Sequence, residues 1–475
     1  MVSSFLIYDL VFLFLFAIAT FYFLRSRKHN LKREGLLILY RTSWGVKLMD
    51  KIGKKHPRTF TVFSYISVAT GYALMALMIY LLVRIVYLYA FMPEIVRVIK
   101  IPPLMPLVPY LPQVFELSFL PPFYFTYWIV IIAIVAITHE FAHGIFMRRY
   151  NIKIKSTGFG FFPWFLPIFL AAFVEQDEKS MKKAKKFGQL AVLSAGTFAN
   201  ILTGILFFAI ISIFFFLAFV PAGVIFNSYP AAFVNISDIS SVNGIAIEDP
   251  SYENILKLTN DSELNKIESN GISYVTTKDF IQNNQNSPIL RLYLDAPAVN
   301  AQLESTIMEI NGEKIYSISD LSRELSKYPP GETVTLKVLG KDKEPYNRDI
   351  VLGKNPITNS SILGISFSNQ TTKGMLGKIY MALSFKNPNT FYESKIGGIG
   401  DFVYELLWWI VLISVSVALV NMLPMGIFDG GMFFYLTILS ITKSEKLAQM
   451  SYKISTYLIL GILLLMMFYW LVALV

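Results

Sequence analysis

The chain has 475 residues, 54% of them hydrophobic and 16% charged, with mean hydropathy +0.52 and a net charge of +10. That composition excludes disordered, collagen-like and disulfide-stapled chains and points to an α-helical membrane protein. With no cysteine, thiolate metal sites and a thiol nucleophile are excluded as well.

Six apolar runs are long enough to cross a bilayer, at about 5–24, 61–90, 123–146, 188–220, 402–422 and 452–475. Span one lacks a basic flank before it, which favours a signal anchor over a cleaved leader. Segment 93–122 carries eight prolines and cannot be a continuous helix, so it is expected to be a loop on the outer membrane surface. Between 221 and 401 no spanning run remains, and asparagine, serine and charge rise. A separate insert of about 180 residues is expected there.

The charge is uneven. Segments 25–60 and 147–187 together carry a net +15, whereas the insert carries −4. The excess of Lys and Arg places both basic segments in the cytoplasm, next to anionic lipid. The N-terminus, the insert and the C-terminus are then extracytoplasmic. This placement accounts for the basic balance without a nucleic-acid surface. Four glycosylation sequons, at Asn235, Asn260, Asn359 and Asn369, all fall in the insert, where 18 of the 22 asparagines lie.

Span three ends in Thr138-His139-Glu140-Phe141-Ala142-His143-Gly144, an H-E-x-x-H motif. On a helix, positions i and i+4 share a face, so both imidazoles can bind one metal, and the intervening acid can take a proton from water. Ionisable side chains at membrane depth are costly and mark function. A catalytic zinc needs a third protein ligand and an open position. His29 and His56 sit in the basic segment before span two, so a carboxylate is required. Asp429 is the candidate, in Asn421-Met-Leu-Pro424-Met-Gly426-Ile-Phe-Asp429-Gly430-Gly431, where Pro and Gly break the helix. Glu405, near the outer end of span five, is the other acid and suits an interfacial position. At 1.5 Å per residue His139 lies about 24 Å from the outer face, a depth that Asp429 matches. Span four contributes Ser194-Ala195-Gly196-Thr197-Phe198-Ala199-Asn200 and then Gly204. The glycines suit close helix packing, whereas an intramembrane amide such as Asn200 or Asn421 either positions a ligand or holds a substrate carbonyl.

With these motifs in this order, the chain resembles the site-2 protease family of intramembrane zinc metalloproteases. The resemblance covers about 123–220 and 402–431 and part of the insert. It implies Zn2+ held by His139, His143 and Asp429, Glu140 as catalytic acid/base, and substrate-contacting roles for Asn421 and Asn200. The family's Leu-Asp-Gly is here Phe428-Asp429-Gly430. Residues 152–175, with Gly158-Phe-Gly160 and Ala171-Ala-Phe-Val-Glu175, look like its membrane hairpin, whose strand edge can pair with an unwound substrate. Asp295-Ala-Pro297 through Ile310-Asn311-Gly312 to Gly331–Val338 is similar to a PDZ domain, at about 288–355. A weaker echo at Asn270-Gly271 suggests a second unit near 221–288.

The expected organisation is therefore N-terminal spans (1–122), a first core half (123–220), an extracytoplasmic α/β PDZ-like insert (221–401) and a second core half with the last helix (402–475). The implied partners are membrane-anchored single-span proteins and the lipid bilayer. The implied location is a prokaryotic cell membrane, with the active site towards the cytosol. A cytosolic zincin domain would need longer cytosolic segments. A membrane scaffold whose insert binds partners, or a transporter with intramembrane His, Glu and Asp, would use the same residues without proteolysis.

Overall fold

A computed structural model describes residues 4–92, 96, 102–103, 105–115, 117, 120–162, 169–261, 264–284, 287–304, 306–340, 344–355, 359–367 and 384–474. It divides into two units, residues 1–215 with 401–475, and residues 216–400. Pro163, Asn369 and much of the proline-rich segment 93–122 lie outside the described residues.

Among the described residues the structure holds six helices of spanning length and hydropathy. Spans one to three are Ser4–Ser26, Pro57–Phe91 and Phe125–Arg149. Spans four to six are Lys186–Ala218, Gly398–Asn421 and Glu445–Leu474. The helices run past the apolar windows at several ends, because backbone hydrogen bonding does not stop where side chains become polar. Asp429–Thr442 forms a further helix between spans five and six.

The first unit is not built of helices alone. Segment 25–60, expected as a plain basic loop, contains β1 (Leu31–Glu34), β2 (Leu37–Thr42) and an amphipathic helix, Val46–Lys55. Together with β3 (Ile154–Phe162) and β4 (Phe169–Gln176) these strands form one antiparallel sheet, in the order β1-β2-β3-β4. β2 and β3 pair across 120 residues of sequence, Ile38 opposite Phe161 and Thr42 opposite Thr157. Sequence periodicity could not show that pairing, since each strand is short and its partner distant.

The amphipathic helix docks on span three through two glycines. A Cβ on Gly53 would meet the Ile145 carbonyl at 2.7 Å, and one on Gly144 would meet Met49 Sδ at 2.3 Å. Without those side chains the helices approach closely, as small residues allow. Asp50 Oδ1 lies 2.7 Å from Arg148 Nε, which ties the same pair of helices. Span two crosses behind span four, with Ser67 Oγ 2.8 Å from Ser194 Oγ. Gly71 packs there against Ser194, Phe433 and Met422.

The start of span three is held from span one. Asp9, 1% exposed, accepts hydrogen bonds from Phe125 N at 2.7 Å, Thr126 N at 2.9 Å, Thr126 Oγ1 at 2.5 Å and Tyr110 Oη at 2.6 Å. Backbone N–H groups at a helix start have no intrahelical acceptor, and a carboxylate there also meets the positive end of the helix dipole. Asp9 supplies this cap from another helix.

The second unit contains two six-stranded sheets. One is built from β6 (Ala231–Asn235), β7 (Ile239–Val242), β8 (Ile245–Ala246), β9 (Asn265–Ser269), β10 (Ile272–Thr276) and β11 (Ile289–Leu294), in the order β6-β11-β10-β9-β7-β8. The other comprises β5 (Phe219–Ile225), β12 (Thr306–Ile310), β13 (Glu313–Lys314), β14 (Thr333–Leu339), β15 (Pro345–Val351) and the strand Thr390–Ser394. Residues 288–355 therefore do not form one sheet by themselves. Ile289–Leu294 belongs to the first sheet, whereas β5 and Thr390–Ser394 join the second from outside that range. A short helix, Ile318–Leu325, is capped by Ser317. Asn243-Gly244, Asn270-Gly271 and Asn311-Gly312 all turn with positive φ, the conformation tight hairpins require and these residue types tolerate.

Removing the Asp9 carboxylate leaves four donors without their acceptor. Asp9→Ala is expected to cost about 2–4 kcal/mol and to lower the thermal midpoint in detergent, read by fluorescence against wild type.

Candidate metal centre

Span three carries His139 and His143 one helical turn apart, each 6% exposed. The break after span five brings Asp429 to the same point. That break is compact because Gly430 and Gly431 lie against the returning backbone. A Cβ on either would meet Met422, Leu423 or Met425 main-chain atoms at 2.4–2.7 Å. Asp429 then opens the next helix, so its backbone direction is fixed where the side chain is needed.

His139 Nε2 and His143 Nε2 are 3.1 Å apart, and each lies 3.3 Å from Asp429 Oδ2. Donor atoms on a tetrahedral ion with bonds of 2.0–2.1 Å stand about 3.3–3.4 Å apart, so the three atoms span one face of such a tetrahedron. Among the described residues, this is the group of three that could hold a metal ion.

The surroundings agree with a cation. His143 Nδ1 donates to the Val192 carbonyl at 2.7 Å, which leaves the lone pair on Nε2. Two such lone pairs and a carboxylate facing one point repel each other unless a positive charge lies between them. Gly196 sits over this point. A Cβ there would fall 2.4 Å from His139 Nε2 and 2.5 Å from His143 Nε2. The glycine expected to serve helix packing thus keeps space open at the ligand atoms. Gly204 does pack helices, against Val415 and Ser414 of span five.

Asn200 is fully buried, with Nδ2 3.0 Å from His139 Nδ1 and Oδ1 lacking a partner among the described residues. When His139 gives its Nε2 lone pair to a metal, Nδ1 carries the proton and needs an acceptor. Turning the Asn200 amide about its last bond presents Oδ1. Asn421 Nδ2 borders the cluster, 3.5 Å from His139 Nε2.

Glu140 follows His139 and faces the sheet. Its Oε2 accepts from Val174 N at 2.8 Å. Val174 lies on β4, the edge strand, opposite Thr157 of β3, and this N–H is an outward-facing edge donor. Glu405, the other acid weighed for the metal, instead accepts from Tyr127 Oη at 3.1 Å. Sequence reasoning missed Val192, whose carbonyl carries no signal in its side chain, and the link from Glu140 to β4. It also missed Asp9, although a lone acid in an apolar span is a signal of its own.

Asn200→Ala is expected to weaken zinc affinity 10–100-fold, the usual effect of losing a ligand's hydrogen-bond partner, with Asn200→Asp weakening it less. Gly196→Ala should displace the imidazoles and lose bound zinc altogether. Metal content after dialysis against buffered zinc, with helicity checked by circular dichroism, reads both.

The family model described as peptidase family M50 matches residues 127–466. That range takes in the H-E-x-x-H helix, Asn200, the insert, Asn421 and Asp429. Members of this family are zinc metalloproteases. No curated protein matches the chain at a significant level. With a match over well more than half of its length, the chain belongs to peptidase family M50, the site-2 protease family.

Proposed function

We propose that the protein is an intramembrane zinc endopeptidase that hydrolyses peptide bonds in the spanning segments of membrane-anchored proteins. The observation that carries this reading is the convergence of His139 Nε2, His143 Nε2 and Asp429 Oδ2 within 3.1–3.3 Å of one another. They come from helices that are long and apolar enough to cross a membrane, or directly follow one.

His139, His143 and Asp429 would hold the zinc. Bound there, it acts as a Lewis acid and lowers the pKa of water to about 7. Glu140 accepts a proton from the attacking water as the water oxygen bonds to the scissile carbonyl carbon. It returns that proton to the amide nitrogen as the C–N bond breaks, yielding a carboxylate and an amine. The Val174 N–H holds the Glu140 carboxylate in place. Asn200, buried and directed at His139, orients that ligand rather than touching substrate. Asn421, less enclosed, is suited to donating to the substrate carbonyl.

The peptide must be extended to be cut, since a helical carbonyl already accepts a hydrogen bond. β4 supplies an edge along which an unwound segment can pair. We assign the basic segments 25–60 and 147–187 to the cytosolic face and the insert to the opposite side, on the distribution of Lys and Arg. The insert's second sheet, with the helix Ile318–Leu325 beside β14, supports a PDZ-like module that selects or excludes substrates.

Glu140→Gln should retain zinc and lose 10²–10⁴-fold or more in cleavage rate, whereas Asp429→Ala and His143→Ala should lose both zinc and activity. The assay is cleavage of reconstituted single-span substrates, with products identified by mass spectrometry. Chelation should abolish cleavage and zinc should restore it. A Glu140→Gln enzyme that cleaves like wild type would overturn the proposal. Metal bound by wild type together with partner binding but no cleavage would instead indicate a scaffold.

A further inference from the structure

A cavity adjoins Glu140, between span three and the sheet. Its walls are Trp44, Met49, Ile137, Phe141, Phe159 and Phe173, with Glu140 at its edge. They come from the β2-to-helix turn, the amphipathic helix, span three, β3 and β4. Its shape depends on two glycines. Gly45, at φ +82, turns the chain so that Met49 and Phe141 close one side. Gly158 has no side chain to obstruct the Phe173 ring, whose Cζ would lie 2.8 Å from a Cβ there.

The cavity has little to offer a polar guest. The Thr157 hydroxyl is engaged with the Thr42 and Trp44 carbonyls, at 3.2 and 2.8 Å. Thr42 Oγ1 accepts from Trp44 N at 3.2 Å, and Glu140 is held by Val174. An amide or carboxylate side chain entering would lose water without gaining partners, and a lysine would find only the Glu140 carboxylate that the reaction itself needs.

We propose that this cavity is the specificity pocket for the substrate residue immediately after the cleaved bond, and that it selects a medium-sized apolar side chain. The proposal rests on the protease reading above. Glu140 delivers its proton to the leaving amine, so the residue that owns this amine must lie next to Glu140, and the cavity shares that carboxylate as a wall. β4, which carries Phe173 and Val174, also bounds the cavity. A segment paired along β4 would therefore present side chains to it at every second residue.

The test is a competition assay with the full-length enzyme in liposomes. Single-span substrates differ only in the residue after the bond that mass spectrometry identifies as cleaved. That residue is set to Ala, Leu, Phe or Lys, and pairs compete in one tube. The ratio of products is then independent of how much enzyme is folded. Wild type should favour Leu over Ala by about 10-fold or more and Leu over Lys by at least 10²-fold, as apolar pockets discriminate. Phe173→Ala and Phe141→Leu enlarge two different walls, so each should raise the Phe-to-Leu ratio by about 10-fold. Cleavage with ratios unmoved in both variants would overturn the pocket while leaving the protease reading intact. Strong preference at the residue before the bond instead would do the same. Failure of wild type to cleave any of the substrates would overturn the protease reading and the pocket with it.

Discussion

Three acceptor atoms aimed at one point inside an apolar helix bundle form the constraint on which the rest of the first unit depends. His139 Nε2, His143 Nε2 and Asp429 Oδ2 repel one another without a cation and are costly to bury. They stay together because each is held from behind. The Val192 carbonyl fixes one imidazole and the Asn200 amide faces the other. The Gly430-Gly431 return leaves Asp429 one place to start its helix. Gly196 shows the same constraint as a missing side chain, since any Cβ there would occupy space the ligand atoms need.

A helix that carries His139, Glu140 and His143 into one candidate site must also be held along its length. Span three is held at both ends by contacts with elements that precede it in the chain. At its start the Asp9 carboxylate takes the unpaired N–H groups. Near its close, Gly53 and Gly144 let the amphipathic helix lie against it, with Asp50 and Arg148 paired alongside. Between them β4 reaches Glu140 through a single main-chain N–H. Packed interiors resist small displacements, so these contacts set where His139, Glu140 and His143 point.

Much of the site was legible in the sequence, because its chemistry is written in side chains. The H-E-x-x-H spacing, the helix-breaking run before Asp429 and the composition shift at the insert all carry their meaning locally. What was not legible depends on distant backbone. The strands at 31–42 are short and carry Lys32, Arg33 and Arg41, and β2 pairs with β3 more than 100 residues away, so they resembled a basic loop. Val192 acts through its carbonyl and Val174 through its N–H, which every residue possesses. Gly196 was assigned to packing, since a glycine does not reveal whether a helix or a ligand occupies the space beside it. In the insert, the Asn-Gly turns were visible, but which strands share a sheet was not: β5 joins β12 across 80 residues.

The sheet and the metal centre together address a problem that neither could solve alone. An extended peptide has no intrinsic register along a strand edge, and a slip of one residue turns every side chain to the other face. An edge strand therefore aligns a substrate without choosing the bond to be cut. An apolar cavity opening beside Glu140 breaks that degeneracy, because only registers that seat an apolar side chain in it bury surface there. The walls of that cavity include Trp44 and Met49, which precede span two, so on the proposed reading the N-terminal strands and helix would contribute to the choice of bond as well as to the packing of span three. Recognition by strand pairing tolerates many sequences, and under the proposed function a single shaped pocket beside Glu140 would be enough to place cleavage within them.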